Sequence, residues 1–150
     1  MRAVIQRVSR AAVSIDGETV SAIGPGLLVL LGVGHDDTAA DAEWLAGKTA
    51  HLRVFDDEGG VMNRSVIEAG GELLVVSQFT LMASTKKGHR PSYVKAARHE
   101  TAIPLYERFA SLLEQATGRS VRTGRFGADM QVELVNDGPV TICIDTKNRE

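Results

Sequence analysis

The sequence is poor in cysteine, in proline and in long apolar runs, and each shortage closes off a class of protein. A single cysteine, Cys143, stands among 150 residues, so no intrachain disulfide forms and no cysteine pair is spaced for zinc. That pattern points to a cytosolic chain. The four prolines are scattered, and no repeat, low-complexity tract or linker interrupts the sequence, so a single domain is expected. The longest apolar stretch, Leu27 to Leu31 with Val33 just beyond, is far too short to span a bilayer. The amino terminus carries Arg2, Arg7 and Arg10 among alternating apolar residues, without the apolar core or small-residue cleavage site of a secretory signal. Neither secretion nor a membrane partner is expected.

A surplus of positive charge is also missing: the formal net charge is −2. That argues against a strongly basic nucleic-acid coat, and DNA is not an expected partner. The distribution says more than the sum. No acidic residue lies between Leu73 and His99, a window that holds Lys86, Lys87, Arg90, Lys95 and Arg98. A second acid-free window, Gln115 to Ala128, holds Arg119, Arg122 and Arg125. Eight of the 17 basic residues thus sit in two short segments. If they meet in space they form a patch that attracts phosphates; if not, they are two solvated faces.

What is present reads as alternating strands and two main helices. Ala3 to Val8 alternates like a half-buried strand, a second strand ends at Ile15, and Asp16-Gly17 marks a hairpin whose return strand runs from Val20 to Ile23. Leu27 to Leu31 has the unbroken apolar character of a strand buried on both faces, as has Leu73 to Val76. One helix is expected from a cap near Asp37 or Thr38, with Trp44, Leu45, Lys48 and Leu52 at helical spacing. A second is expected over Ile103 to Ala116, with Pro104 in its first turn and Gly118 as its stop. Met130 to Val135 and Val140 to Asp145 close the chain as two strands. Short turns favour antiparallel pairing, so the expected class is α+β: a curved, barrel-like, mostly antiparallel sheet with two main helices on one side.

Familiar catalytic signatures are absent. There is no GxSxG elbow, no P-loop, and no GxGxxG after a strand. His35-Asp36-Asp37 offers metal-binding residue types, but the spacing suits a solvated helix start, so neither a metal nor any other cofactor is expected. Cys143, between Ile142 and Ile144, reads as a packing residue, and His51 as part of the first helix. His89 and His99 lie in the first basic window, where contact with phosphate suits them better than proton transfer.

Two places stand out. The apolar run Leu73 to Val76 passes directly into Ser77-Gln78-Phe79-Thr80, which brings two hydroxyls, an amide and an aromatic ring to a rigid strand end. Backbone N–H groups freed from the ladder there could stabilise an oxyanion; equally, the strand could simply continue with polar residues outward. The second place is Asn136-Asp137-Gly138-Pro139, where a plain hairpin is interrupted by a proline that lacks a backbone donor. Only about 5–6% of X-Pro bonds are cis, so the residues alone do not call for a cis bond here.

Ser77-Gln78-Phe79-Thr80-Leu81 and Asn136-Asp137-Gly138-Pro139-Val140-Thr141 together resemble the paired signatures of the D-aminoacyl-tRNA deacylase family, of the type once called D-tyrosyl-tRNA deacylase. Gln6-Arg7-Val8, Gly26 to Val33, Thr123-Gly124-Arg125-Phe126 and Ala128 to Val132 are similar to that family as well, so the resemblance covers essentially the whole chain. It implies hydrolysis of the ester of tRNA charged with D-amino acids or glycine, in a homodimer whose active sites lie at the subunit interface. It implies that Gly138-Pro139 is a Gly-cis-Pro pair that reaches the partner's site and excludes L-amino acids. It points to Ser77, Gln78, Phe79 and Thr80 as the catalytic segment. Thr80 is then either a nucleophile or a bystander to the backbone N–H groups of Phe79 and Thr80, with the attack supplied by the tRNA's terminal 2′-hydroxyl or a water. Lys86, Lys87 and Arg90 would meet tRNA phosphates, and Phe126 and Met130 would pack on the terminal adenine. Two other readings compete: a hydrolase of a free small ester or peptide, which has no need of the basic windows, and a non-enzymatic RNA-binding dimer, which leaves Ser77 to Thr80 and Gly138-Pro139 without purpose.

Overall fold

The computed structural model describes residues 1–150. Its frame is a six-stranded sheet in the order β2-β1-β3-β6-β7, with β8 along the other edge of β1. β1 (Arg2–Ile15) is one long strand rather than two segments, and the Asp16-Gly17 turn joins it to β2 (Glu18–Ile23) with φ of 51° and 80° at the two turn residues. β3 (Gly26–Gly32) runs antiparallel to β1, whereas β6 (Glu72–Ser77) pairs parallel to β3 and β7 (Val121–Thr123) parallel to β6. The Ser21 hydroxyl donates to the Thr123 carbonyl (2.5 Å), which draws β2 towards β7 and nearly closes the curl.

α1 (Ala39–His51) starts at Thr38 in a capping box with Asp41, and α3 (His99–Thr117) ends at Gly118. Burial would raise the Asp41 pKa, but hydrogen bonds from the Thr38 N–H, Thr146 and Lys147 outweigh it and hold the carboxyl well below its usual range. α3 begins four residues before the expected Ile103, so Pro104 lies in its second turn rather than its first. The extra turn brings His99 and Ala102 onto the helix. A short α2 (Val66–Ala69) and a two-stranded ribbon, β4 (Phe55–Asp56) with β5 (Met62–Arg64), lie in the connection between α1 and β6.

The two faces of the sheet are buried differently. Ala3, Ile5, Leu27, Val29, Leu31, Leu73 and Val75 pack against Leu45, Ala46, Phe109 and Leu113 of the two main helices. Val8, Ala11, Val13, Ile23, Leu28, Leu74 and Val76 fill the inside of the curl. Successive residues of β3 and β6 therefore enter opposite cores, which is why both runs are apolar without alternation. Asp37 is buried, not solvated: it accepts from the Met1 amine and the Gly34 N–H. Cys143, read as a packing residue, is exposed.

The closing segment departs most from the sequence reading. Residues 131–145 form a single strand, β8 (Gln131–Asp145), antiparallel to β1 along its whole length. Gln6 pairs with Thr141 and Val8 with Asn136, so residues 137–140 bulge out opposite the single residue Arg7. The Asn136 side chain closes the neck of this excursion: its Oδ1 accepts from the Val140 N–H (2.8 Å) and its Nδ2 donates to Thr141 Oγ1 (2.9 Å). A hairpin would have turned the chain back on itself. Pairing with β1 on both sides of the excursion keeps it travelling in one direction.

Candidate active site

β3 and β6 are parallel, so their carboxyl ends finish together, with Leu31 beside Ser77. Ligands bind preferentially beyond such strand ends, where backbone groups leave the ladder. A cavity of about 470 Å³ opens there. Its walls come from the end of β3 and the residue beyond it (Leu31, Val33), the end of β6 and the turn that follows (Val76 to Phe79), the approach to α3 and its first turn (Ala97, His99, Ala102), the β7–β8 connection (Phe126 to Met130) and Val132 of β8.

After Ser77 the chain turns into one turn of 3₁₀ helix, Phe79–Met82, instead of continuing as a strand. The Gln78 N–H donates back to the Leu31 carbonyl (2.8 Å) and the Leu81 N–H to the Gln78 carbonyl (3.2 Å). Between them the N–H groups of Phe79 and Thr80 head the turn, with no carbonyl one turn back to receive them. The turn fits because Gly32 leaves room: a Cβ there would lie 3.0 Å from both the Gln78 carbonyl and the Leu81 side chain. Arg2 ties down its far end, donating to the Leu81 carbonyl (3.0 Å) and pairing with Asp145 (2.9 Å). The Thr80 hydroxyl accepts from the Gln78 side-chain amide, and Thr80 stands just behind Phe79, outside the residues that line the cavity. An amide cannot take its proton.

Across the cavity, Phe126 is held by a chain of edge-on rings, 5.6 Å from His99 and 5.7 Å from Tyr106 between centroids. The Tyr106 hydroxyl donates to the Val75 carbonyl (2.9 Å), and burial pushes its pKa up to about 12, so it is an anchor and not a proton-transfer group near neutral pH. The His99–Phe126 contact also answers the question left by the charge pattern. His99 ends the first acid-free window and Phe126 lies in the second, so the two windows touch at this cavity through these two rings, while Arg119 of the second window lies beside Gly70, before the opposite end of β6. Lys86, Lys87 and Arg90 stand on an exposed loop, pinched shut where Ser84 and Ser92 exchange backbone hydrogen bonds (2.8 and 2.9 Å). No group of three or more His, Cys, Asp or Glu side chains lies together.

Ser77, Gln78, Phe79, Phe126 and Met130 are thus brought together, although the second pair lies some fifty residues away in sequence. Gly138 and Pro139 are not. They sit exposed on the excursion of β8, away from the cavity walls, with a cis bond between them. Sequence reading also missed what anchors that excursion. Arg7, only 11% exposed in its side chain, donates to the carbonyls of Val54 (2.7 Å) and Asp137 (3.0 Å). Its signal was legible, since Ala3, Ile5 and Arg7 share the core-facing side of β1 and a charge on such a face needs partners.

Residues 4–145 match the family described as D-Tyr-tRNA(Tyr) deacylase. The chain belongs to this family. Deacylase relatives match it end to end: the D-aminoacyl-tRNA deacylase of Bacteroides thetaiotaomicron is 61% identical over 150 residues, covering 100% of both chains. That of Cytophaga hutchinsonii is 59% identical with the same coverage. Among solved structures, one described as c-Myc DNA Unwinding Element Binding Protein superposes with a TM-score of 0.92 at 44% identity, over 97% of this chain and 98% of that one. A probable eukaryotic D-amino acid tRNA deacylase shares the fold, with a TM-score of 0.79 over 95% and 97% of the two chains, at 18% identity. No helix of this deacylase-family chain is long and apolar enough to cross a membrane.

Proposed function

We propose that this chain hydrolyses the ester of D-aminoacyl-tRNA, and of glycyl-tRNA, releasing free tRNA and amino acid while sparing L-aminoacyl-tRNA. The observation that carries the reading is the cavity, where the Ser77–Phe79 strand end faces Phe126 and Met130, with the exposed Lys86–Arg90 loop following the same turn in the chain. The terminal adenine packs on Phe126 and Met130, and the ester carbonyl is received by the N–H groups of Phe79 and Thr80. The attacking oxygen is that of a water ordered by the ribose 2′-hydroxyl. It adds to the carbonyl carbon, the N–H groups hold the resulting oxyanion, and the bond to the ribose 3′ oxygen breaks as that oxygen takes up the proton the water gives up, relayed by the 2′-hydroxyl, leaving the free amino acid and tRNA. An aminoacyl ester is already activated, so positioning and oxyanion stabilisation carry much of the barrier reduction.

The exposed Gly138-Pro139 excursion is, in this reading, the chiral wall of a homodimer, each protomer lending it to the other's cavity. Two features support that role: the excursion projects from the strand, and Asn136 and Arg7 hold it from both sides. A backbone wall rejects the L side chain by collision and leaves the D side chain pointing outward, whichever amino acid it is. Glycine has no side chain to reject. Release of amino acid from D- and L-aminoacyl-tRNA, alongside a free D-amino-acid ester, tests the function. Hydrolysis of the free ester as fast as the tRNA ester defeats it, as does equal hydrolysis of both hands. Because one solved relative is described as binding DNA, a duplex DNA of equal length serves as competitor, and it should not displace tRNA.

Two further outcomes follow. Thr80→Ala should retain activity within about tenfold, roughly 1.4 kcal/mol of barrier, because its hydroxyl has only an amide beside it. A trapped acyl-Thr80 ester, or a loss of several orders of magnitude in single-turnover rate, would overturn the backbone mechanism. Changing Lys86 and Lys87 together to Ala should flatten the salt dependence of tRNA binding by about 1.4 to 1.8 in log–log slope, one released counterion per lost phosphate contact. The ratio of D to L rates should not move. An unchanged slope places the RNA on another face.

A further inference from the structure

Beside the cavity, two rings face solvent that ordinary surface chemistry would hide. Phe79 is 56% exposed and Tyr93 39%, and they meet edge-on with centroids 5.1 Å apart. The pair is held firmly. Phe79 heads the 3₁₀ turn, while Tyr93 opens a turn (Ala96 N–H to Tyr93 carbonyl, 3.0 Å) that is pinned to the chain after β3. There the His35 N–H donates to the Lys95 carbonyl (3.0 Å) and the Ala97 N–H to the Val33 carbonyl (2.9 Å). The loop carrying Lys86, Lys87 and Arg90 leaves and rejoins the chain between these two rings, at Ser84 and Ser92. From Leu73 to His99 the chain itself carries no acidic residue. Exposed rings beside a loop that is basic and closed at its neck are the pattern that binds single-stranded nucleic acid, whose bases stack on rings while its phosphates follow the charge.

We infer that the Phe79–Tyr93 pair is a stacking platform for an unpaired base of the acceptor strand upstream of the terminal adenosine, with the adjoining phosphates on the Lys86–Arg90 loop. This rests on the tRNA-ester reading and extends it: the cavity takes the last nucleoside, and the platform takes a base that precedes it. Phe79 also lines the cavity, so its ring marks the boundary between the two subsites. Charge complementarity selects this occupant, because a strand entering the cavity by its 3′ end leads its phosphates away from the terminal nucleoside, and the exposed loop between the two rings offers Lys86, Lys87 and Arg90 to meet them.

The test uses two substrates of the full-length protein, D-tyrosyl-tRNA and 3′-O-D-tyrosyl-adenosine, which lacks every upstream nucleotide. Tyr93→Ala should lower kcat/KM for the tRNA substrate by about tenfold to a hundredfold, the usual range for one lost base–ring stack. The same variant should leave the adenosine ester unchanged, and Tyr93→Phe should restore the tRNA rate. Equal losses on both substrates would show that Tyr93 merely props the catalytic turn, and would overturn the platform. So would no loss on either. A sizing column completes the test: if Tyr93→Ala converts a dimer to monomers, the rings face a second copy of the chain and the inference falls. Should the wild-type protein hydrolyse neither substrate, the functional reading itself has failed, which is a different result from any of these.

Discussion

Gly138→Ala should reduce kcat/KM for D-aminoacyl-tRNA by about a hundredfold or more while the chain still folds. The residue sits at φ of 138°, a conformation that side chains of L-residues rarely adopt. A Cβ there would lie 2.8 Å from Val140 Cγ2, 3.0 Å from the Val140 nitrogen and 3.2 Å from Arg7 Nη2. Two of these neighbours also hold the excursion, since the Val140 N–H is bonded to Asn136 and Arg7 to Asp137. Relief of the collision therefore has to move the excursion itself. Strain of this kind costs about 1–3 kcal/mol, within the roughly 5–15 kcal/mol that holds a domain folded. A displacement of an ångström at a positioning element, by contrast, can cost about a hundredfold in rate. Circular dichroism and a sizing column establish that the variant is folded and assembled like the parent. Deacylation at the parental rate by such a variant would remove Gly138-Pro139 from the site.

The second large effect falls on Arg7. Arg7→Ala should lower the melting temperature by about 4–12 °C and deacylation at least tenfold. The guanidinium sits opposite the excursion and joins the Asp137 carbonyl to the Val54 carbonyl beyond α1. Its neighbours Asp56 and Asp137 are 53% and 61% exposed in their side chains, so solvent screens those ion pairs and they add little. The loss comes from the hydrogen bonds: two carbonyls left without their charged donor cost about 2–3 kcal/mol together, at about 2–4 °C per kcal/mol in a chain of this size. Arg7→Lys separates charge from geometry. An ammonium cannot span both carbonyls as the planar fork does, so lysine should recover some stability and little activity. Thermal melts and single-turnover rates of both variants give the answer; parental values for Arg7→Ala would show that Asn136 alone holds the excursion.

Much of the local architecture was legible because its causes are local. Asp16-Gly17 makes its hairpin because both residues accept positive φ, α1 opens where the Thr38 N–H and hydroxyl donate to the Asp41 carboxylate three residues on, and Gly118 ends α3. The start of α3 was not legible. Arg98 caps it without a side-chain bond, and Pro104 falsely suggested a first turn at Ile103. Likewise, Ser77 to Leu81 reads equally as a strand end and as a strand that continues with polar residues outward. It turns instead because Gly32 on the neighbouring strand gives the 3₁₀ turn room, and no inspection of residues 77–81 alone reveals that.

By itself the sequence determined the α+β class, the two apolar strands buried on both faces, and the paired Ser77–Leu81 and Asn136–Thr141 motifs that resemble one family of deacylases. Only the tertiary structure decided that Ser77–Phe79 and Phe126–Met130 wall one cavity, that His99 and Phe126 bring the two acid-free windows into contact there, and that Asn136–Val140 is an excursion in one strand rather than a hairpin. The physical reason is range. Turns, caps and periodicity are settled between residues a few positions apart, whereas strand partners are settled by which distant apolar faces can be buried together. β8 runs on through Gly138-Pro139 because β1, more than a hundred residues earlier in the chain, offers it an edge on both sides of Arg7.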